Sequence, residues 1–184
     1  MSIIVGERVR LRAVEREDVK IFHEWVNDPE VTRGLGLYLP MSMTDEENWF
    51  EAMTKRDQNE KPLAIEVRKG RNWKLIGNCA VFGIEQVNRS AELGIMIGDK
   101  SEWNKGYGSE AMTLLVRHCF ETLNLNRAFL RVYTENIRAV RSYEKSGFVL
   151  EGRLREAVYK IGKYDDVLLM SVLRSEWMSR RKEK

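Results

Sequence analysis

Ten residues constrain the fold more than any others: EWNKGYGSEA, Glu102–Ala111. Lys105 precedes Gly106 and Gly108 follows. The glycines then stop, and an apolar pattern of helical period begins with Ala111, Leu114, Leu115 and Cys119. A helix start carries unpaired N–H groups and the positive end of the dipole. Glycines there let the backbone approach an anion, so a strand–loop–helix unit of this kind is a phosphate cradle. A tight turn needs the same glycines, and the loop by itself leaves both readings open. It does limit the topology. A dinucleotide fold carries its glycine loop after the first strand of a parallel sheet. Here four predicted strands come first, position 111 is alanine, and the pattern GxxxxGK[ST] is absent.

The elements around the loop follow one another without a repeat or a low-complexity linker. RVRLRAV alternates, with Val9, Leu11 and Ala13 on one face, and predicts a strand. EDVKIFHEWVND gathers Val19, Phe22, Trp25 and Val26 on one helical face and stops before Pro29. Residues 29–43, with Gly34, Gly36 and Pro40, read as an irregular loop. TDEENWFEAMTKR opens with Thr44 and Glu47 at capping-box spacing and predicts a second helix. PLAIEVRKGRNWKLIGNCAVFGIE reads as two strands about a turn near residues 70–72, and SAELGIMIG as a fourth strand. SEAMTLLVRHCFETL is the helix after the glycine loop, and RAFLRVYTE is a strand. NIRAVRSYEKSGF is a short helix with Asn136 as N-cap and Gly147 at its end. Residues 148–173 read as a hairpin turning at 161–163. The tail, residues 174–184, is charged and expected to be solvated. The whole reads as one domain over residues 1–184, of mixed α+β class.

The 184 residues are 43% hydrophobic and 32% charged, with a net charge of +3. That allows a sizeable core and gives little ground for a nucleic-acid partner. Cys79 and Cys119 are the only cysteines, and His23 and His118 the only histidines. They form no CxxC and no cluster, so the expectation is no disulfide scaffold, no metal and no histidine triad. MSIIVGERVRLRAV has no apolar run long enough for a signal peptide or a membrane span, so a cytoplasmic protein with no membrane segment is expected. A homodimer stays open.

A second pattern lies about 30 residues beyond the glycines: Asn136, Ala139, Tyr143, Gly147 and Phe148. It is similar to the second signature of the GNAT acetyltransferase superfamily. The glycine loop resembles that superfamily's acyl-CoA loop, [RQ]xxGxG, except that Trp103 stands where Arg or Gln is usual. Tryptophan there, RSAELGIMIGDKSEWNKGYG and EGRLREAVYKIGKYDDVLLM look like the branch of ribosomal-protein N-terminal and spermidine acetyltransferases. The resemblance spans roughly residues 9–173. It implies a mostly antiparallel twisted sheet of about seven strands flanked by about four helices. It also implies acetyl-CoA as co-substrate, an amine acceptor, and direct attack in a ternary complex.

N-acetylation needs a neutral amine, a polarised thioester carbonyl, a proton for the departing thiolate, and alignment of the reactants. The cofactor set under the resemblance begins with Trp103, Asn104, Lys105, Gly106, Tyr107, Gly108 and Ser109, the pyrophosphate resting on the N–H groups from Lys105 to Ser109. The strand edge Ile95, Met96 and Ile97 serves the pantetheine arm, and Asn136, Ala139 and Tyr143 complete the set. Tyr143 lies one turn after the small Ala139, on the same helical face, and is the candidate acid. A packing ring on a short helix would look the same. Asn136 fits both an N-cap and a pantetheine contact. Glu92, a carboxylate in an apolar strand, is the candidate base. Strand alternation equally puts Glu92, Gly94 and Met96 on one outward face, and a water chain would serve instead.

The acceptor is expected between the two early helices and the loop joining them, with Tyr38 and Trp49 as candidate contacts beside Trp25, Asn27, Arg33 and Phe50. Spermidine acetyltransferases tend to carry carboxylates just before the proline equivalent to Pro40, and this chain has Tyr38 and Leu39 there. That favours a protein or peptide N-terminus. Asp45, Glu46 and Glu47 keep a polyamine or another small amine open, unless they serve the dipole of the second helix. A non-catalytic acyl-CoA binding module is the remaining alternative.

Overall fold

The computed structural model of the chain describes residues 3–182. Among these, eight strands form a single sheet in the order β1-β2-β3-β4-β5-β6-β8-β7. They are β1 Ile4–Val5, β2 Val9–Ala13, β3 Leu63–Lys69, β4 Asn72–Glu85, β5 Ser90–Ile97, β6 Arg127–Tyr133, β7 Val149–Lys160 and β8 Lys163–Leu173. The two-residue β1, pairing with β2 through Ile4 and Leu11, is the strand that periodicity did not supply. All neighbours run antiparallel except β5 and β6. That parallel pairing covers only Ser90–Glu92 against Arg127–Phe129. Beyond Glu92 the two strands part, and the rest of β5 keeps its partner β4 but has no ladder on its β6 side.

The helices are α1 Val19–Val26, α2 Pro29–Thr32, α3 Met43–Thr54, α4 Tyr107–Arg117, α5 Ile137–Lys145 and α6 Arg174–Lys182. One sheet face carries α1 and α3 over Val14, Phe22, Phe50, Met53 and Ala64. The other carries α4, whose Ala111, Met112, Leu114, Leu115 and Val116 pack on Val9, Leu11, Ile65, Val67 and Leu93. Alternation along β3 explains the division: Ala64 points to one core while Ile65 and Val67 point to the other. Fully buried side chains such as Leu115, Leu130 and Ile65 each contribute about 1.5–3 kcal/mol.

Four local expectations change. Residues 29–43 are not wholly irregular, because Asp28 caps α2 by accepting from the Glu30 N–H at 2.9 Å, with Pro29 in the first turn. The capping box of α3 is Ser42 and Asp45, not Thr44 and Glu47. Ser42 Oγ accepts from the Asp45 N–H at 3.1 Å, and Asp45 Oδ2 accepts from the Ser42 N–H at 2.8 Å. The helix starts earlier than its apolar period, so the pair lies two residues further back. The tail is helical to Lys182, and Trp177 is buried edge-on against Phe120 with centroids 5.7 Å apart. A single aromatic anchor gives no period to read, which is why this stretch looked solvated. Ala13, at the end of β2, is exposed rather than part of the core face.

Candidate active site

Where β5 leaves β6, two cavities open, and Ile95 borders both. The larger, about 500 Å³, lies between the glycine loop with the start of α4 and the exposed face of α5. The second, about 440 Å³, lies on the α1–α3 side and reaches Gly94 and Met96 of β5.

The glycine loop is shaped for close approach. Asn104 has φ 62° and Gly106, the N-cap of α4, has φ 83°, a left-handed conformation that glycine adopts without cost. A Cβ on Gly108 would find only ordinary contacts, the nearest being Ile97 Cγ1 and Ser142 Oγ at 3.7 Å. The protein does not need glycine there, and the space it leaves belongs to the cavity. Ser109 and Ser142 hydroxyls meet at 2.9 Å and tie the start of α4 to α5.

Charge in the loop is placed differently from what the sequence suggested. Lys105 does not line the cavity; its Nζ donates to Glu102 Oε2, at the cavity's border, at 3.0 Å. Glu102 also receives Lys69 at 2.9 Å and Lys74 at 3.2 Å. Burial alone would raise the Glu102 carboxyl, but the lysines that cover it hold it down at about 2. Trp103 donates its Nε1–H to the Ile97 carbonyl at 2.8 Å, and the guanidinium of Arg138 lies over its ring, 3.4 Å from the centroid.

On α5, Asn136 Oδ1 accepts from the Ala139 N–H at 3.2 Å, which is the cap. Its amide nitrogen abuts Gly34 so tightly that a Cβ at 34 would collide with it. Tyr143 is 8% exposed and lines the larger cavity. Its hydroxyl has no hydrogen-bond partner among the described residues, which is unusual for a buried tyrosine, and burial raises it to about 12.

The second cavity is apolar, walled by Phe22, Val26, Leu35, Trp49, Phe82 and Met96. Trp49 is thus one of its walls. Tyr38 does not line it. That ring is 62% exposed and lies on the far side of the loop, 5.7 Å from Lys160 Nζ. The loop is fastened at both ends. Lys160 donates to the carbonyls of Thr32, at 2.6 Å, and Leu35. At the other end Asn27 exchanges hydrogen bonds with both backbone groups of Met41, at 2.8 and 2.9 Å, so Asn27 is a clamp. Glu92 borders neither cavity, and its Oε2 accepts from Arg131 at 3.1 Å.

A family model described as an acetyltransferase (GNAT) domain matches residues 8–149. The chain belongs to the GNAT acetyltransferases. It is 30% identical to a spermidine N(1)-acetyltransferase of Vibrio cholerae over 176 residues, 96% of this chain and 99% of that one. It is 26% identical to the ribosomal-protein-serine acetyltransferase of Escherichia coli, covering 91% of this chain and 94% of the other. A solved structure of a Vibrio cholerae spermidine N-acetyltransferase, in complex with CoA and spermine, superposes with a TM-score of 0.85 at 29% identity, covering 94% of this chain and 99% of that one. The protein is accordingly an acyl-CoA N-acyltransferase with acetyl-CoA as co-substrate and an amine as acceptor.

For an acetyltransferase, one residue in the second cavity was missed as an individual. Glu46 borders that cavity, is 5% exposed and makes no side-chain hydrogen bond among the described residues. Desolvation raises its carboxyl, with His23 opposing and Asp45 adding to the shift. The sequence showed an acidic triplet at a helix start. Helical geometry divides it: Asp45 turns back to cap, and Glu46 faces inward.

Proposed function

We propose that this acetyltransferase acetylates a single amine carried next to an apolar group, as at the N-terminus of a peptide or protein. The observation that carries this reading is the charge inventory of the second cavity. Among the described residues, its only ionisable wall groups are Glu46 and Arg56, set among apolar side chains. One ammonium can be matched by Glu46. A polyamine would bring further ammonium groups with no carboxylate to meet them, and an unpaired buried charge is costly. The specificity named for the Vibrio cholerae relative supports a second reading, in which spermidine is the acceptor.

In the mechanism that fits, the phosphates of acetyl-CoA rest on the N–H groups of residues 107–109, and the pantetheine arm runs along the free edge of β5 at Ile95–Ile97. Glu46 orients the ammonium and takes one proton, directly or through water. The neutral nitrogen attacks the thioester carbon, the C–S bond breaks, and the thiolate forms beside Tyr143. A thiol titrates near ~8.5, below Tyr143 at about 12. The phenol is therefore a poor net proton donor; it stabilises the thiolate by a hydrogen bond, and the second amine proton neutralises the sulfur. Glu92 is engaged by Arg131 and borders neither cavity, so it stands away from the amine that Glu46 would meet.

The decisive assay compares spermidine, spermine and a panel of N-terminal peptides at saturating acetyl-CoA. The expectation is that peptides with an apolar first or second residue have the highest kcat/KM. Spermidine exceeding every peptide tenfold would replace this reading with the polyamine one.

A further inference from the structure

We propose that Arg138, held over the indole of Trp103, supplies the guanidinium that grips the pyrophosphate of acetyl-CoA, a charge the glycine loop itself does not offer. The loop has spent its own cation: Lys105 is bound to Glu102, and position 103, where the resembled loop pattern has Arg or Gln, is tryptophan. Arg138 comes from the opposite wall of the same cavity, facing Gly106, Gly108 and Ser109. Its guanidinium makes no hydrogen bond and no salt bridge among the described residues. The acid that acts on it through space, Glu30, is itself held by Lys100 at 3.0 Å.

The ring contact limits where the guanidinium can stand. Trp103 cannot rotate freely while its Nε1–H is bound to the Ile97 carbonyl at 2.8 Å, so the ring is a rigid shelf beside the start of α4. A guanidinium whose carbon lies 3.4 Å from the ring centroid is held against that shelf at the cavity wall. Its planar N–H fork matches two phosphate oxygens in a way an ammonium does not. Arg141 and Lys145 continue the same face of α5 along the cavity wall, but among the described residues no ring holds either of them. Trp103 is thus a positioning residue and Arg138 a binding residue. The pair restores from α5 what the loop lacks at position 103.

The inference rests on the larger cavity being the acetyl-CoA site and is independent of which amine is acetylated. Calorimetry on the full chain tests it with three ligands: acetyl-CoA, dephospho-acetyl-CoA, which keeps the pyrophosphate but lacks the 3′-phosphate, and S-acetyl-pantetheine, which lacks both. Arg138→Ala is expected to weaken the first two by about 10–100-fold and to leave the third unchanged. Trp103→Leu, which keeps the charge but removes the shelf, is expected to give the same ligand pattern with a smaller loss of about 2–30-fold. Equal loss with S-acetyl-pantetheine would make the effect merely structural and overturn the proposal. A loss confined to acetyl-CoA would move the contact to the 3′-phosphate and overturn it as well. The wild-type titration separates the two failures, since a wild-type chain indifferent to the phosphates would bring down the cavity reading itself.

Discussion

The two sides of β5 are built by different means. On the side proposed for the cofactor the main chain does most of the shaping: a left-handed glycine, a helix start, and a strand edge that β6 leaves unpaired. On the side proposed for the acceptor the wall is made of side chains gathered from α1, the fastened loop, α3 and β4, with one buried carboxylate among them. A site made from backbone serves a ligand that does not vary. A site made from side chains can change its ligand by substitution while the chemistry beside it stays in place.

Three substitutions probe that contrast, in order of expected effect. Tyr143→Phe leaves the apolar packing against Phe148 intact and removes one hydroxyl. Stopped-flow rates under conditions where chemistry limits should fall by about 10–1000-fold, with the acetyl-CoA Kd unchanged. Unchanged rates would mean the ring only packs. Gly108→Val follows. Because a Cβ at 108 meets nothing nearer than 3.7 Å, the thermal midpoint should hardly move, while crowding of the cavity weakens acetyl-CoA by about 10–100-fold. If wild-type affinity survived, the backbone cradle would not be where the phosphates lie.

Glu46→Gln is the smallest and the most discriminating, with kcat/KM expected to drop about 10-fold because water can still carry the proton. Burial raises the Glu46 carboxyl in the folded chain, so the fold prefers the neutral form. The cost of ionising it is absent below the unfolded pKa, enters as pH rises through that value, and is complete above the folded one. The glutamine variant should therefore melt higher than wild type at neutral pH and lose that advantage in acid. It should also lose the rise of kcat/KM with pH that ionisation of Glu46 gives the wild type. A variant that is less stable at pH 7 would contradict the assignment.

How much of this was legible follows from the same contrast. Gly106, Gly108, Asn136, Ala139 and Tyr143 are spaced along one chain segment, and short-range spacing is what a sequence displays. Trp49, read from the sequence as an aromatic on the second helix, lines the second cavity. Glu46 was not separable from Asp45 and Glu47 until the true cap, Ser42, set the start of α3 and with it the direction of each side chain. Lys105 was assigned by proximity to the glycines, but its partner Glu102 collects lysines from β3 and β4 as well, a convergence that only the folded sheet produces. Tyr38 was chosen for its aromatic ring and its place beside Pro40, while the fastening of the loop by Lys160, more than a hundred residues away, turns it outward.

Gly34 marks where the two halves of the molecule touch. Any side chain there would push the Asn136 amide out of place and with it the cap of α5, the helix that carries Tyr143 and Arg138. If this loop receives the acceptor as proposed, substitution can adapt it at its other positions but not at this one. A library that diversifies residues 33–41 should recover new specificities only from clones that keep glycine at 34, and a larger residue there should cripple acetyl transfer to every acceptor alike.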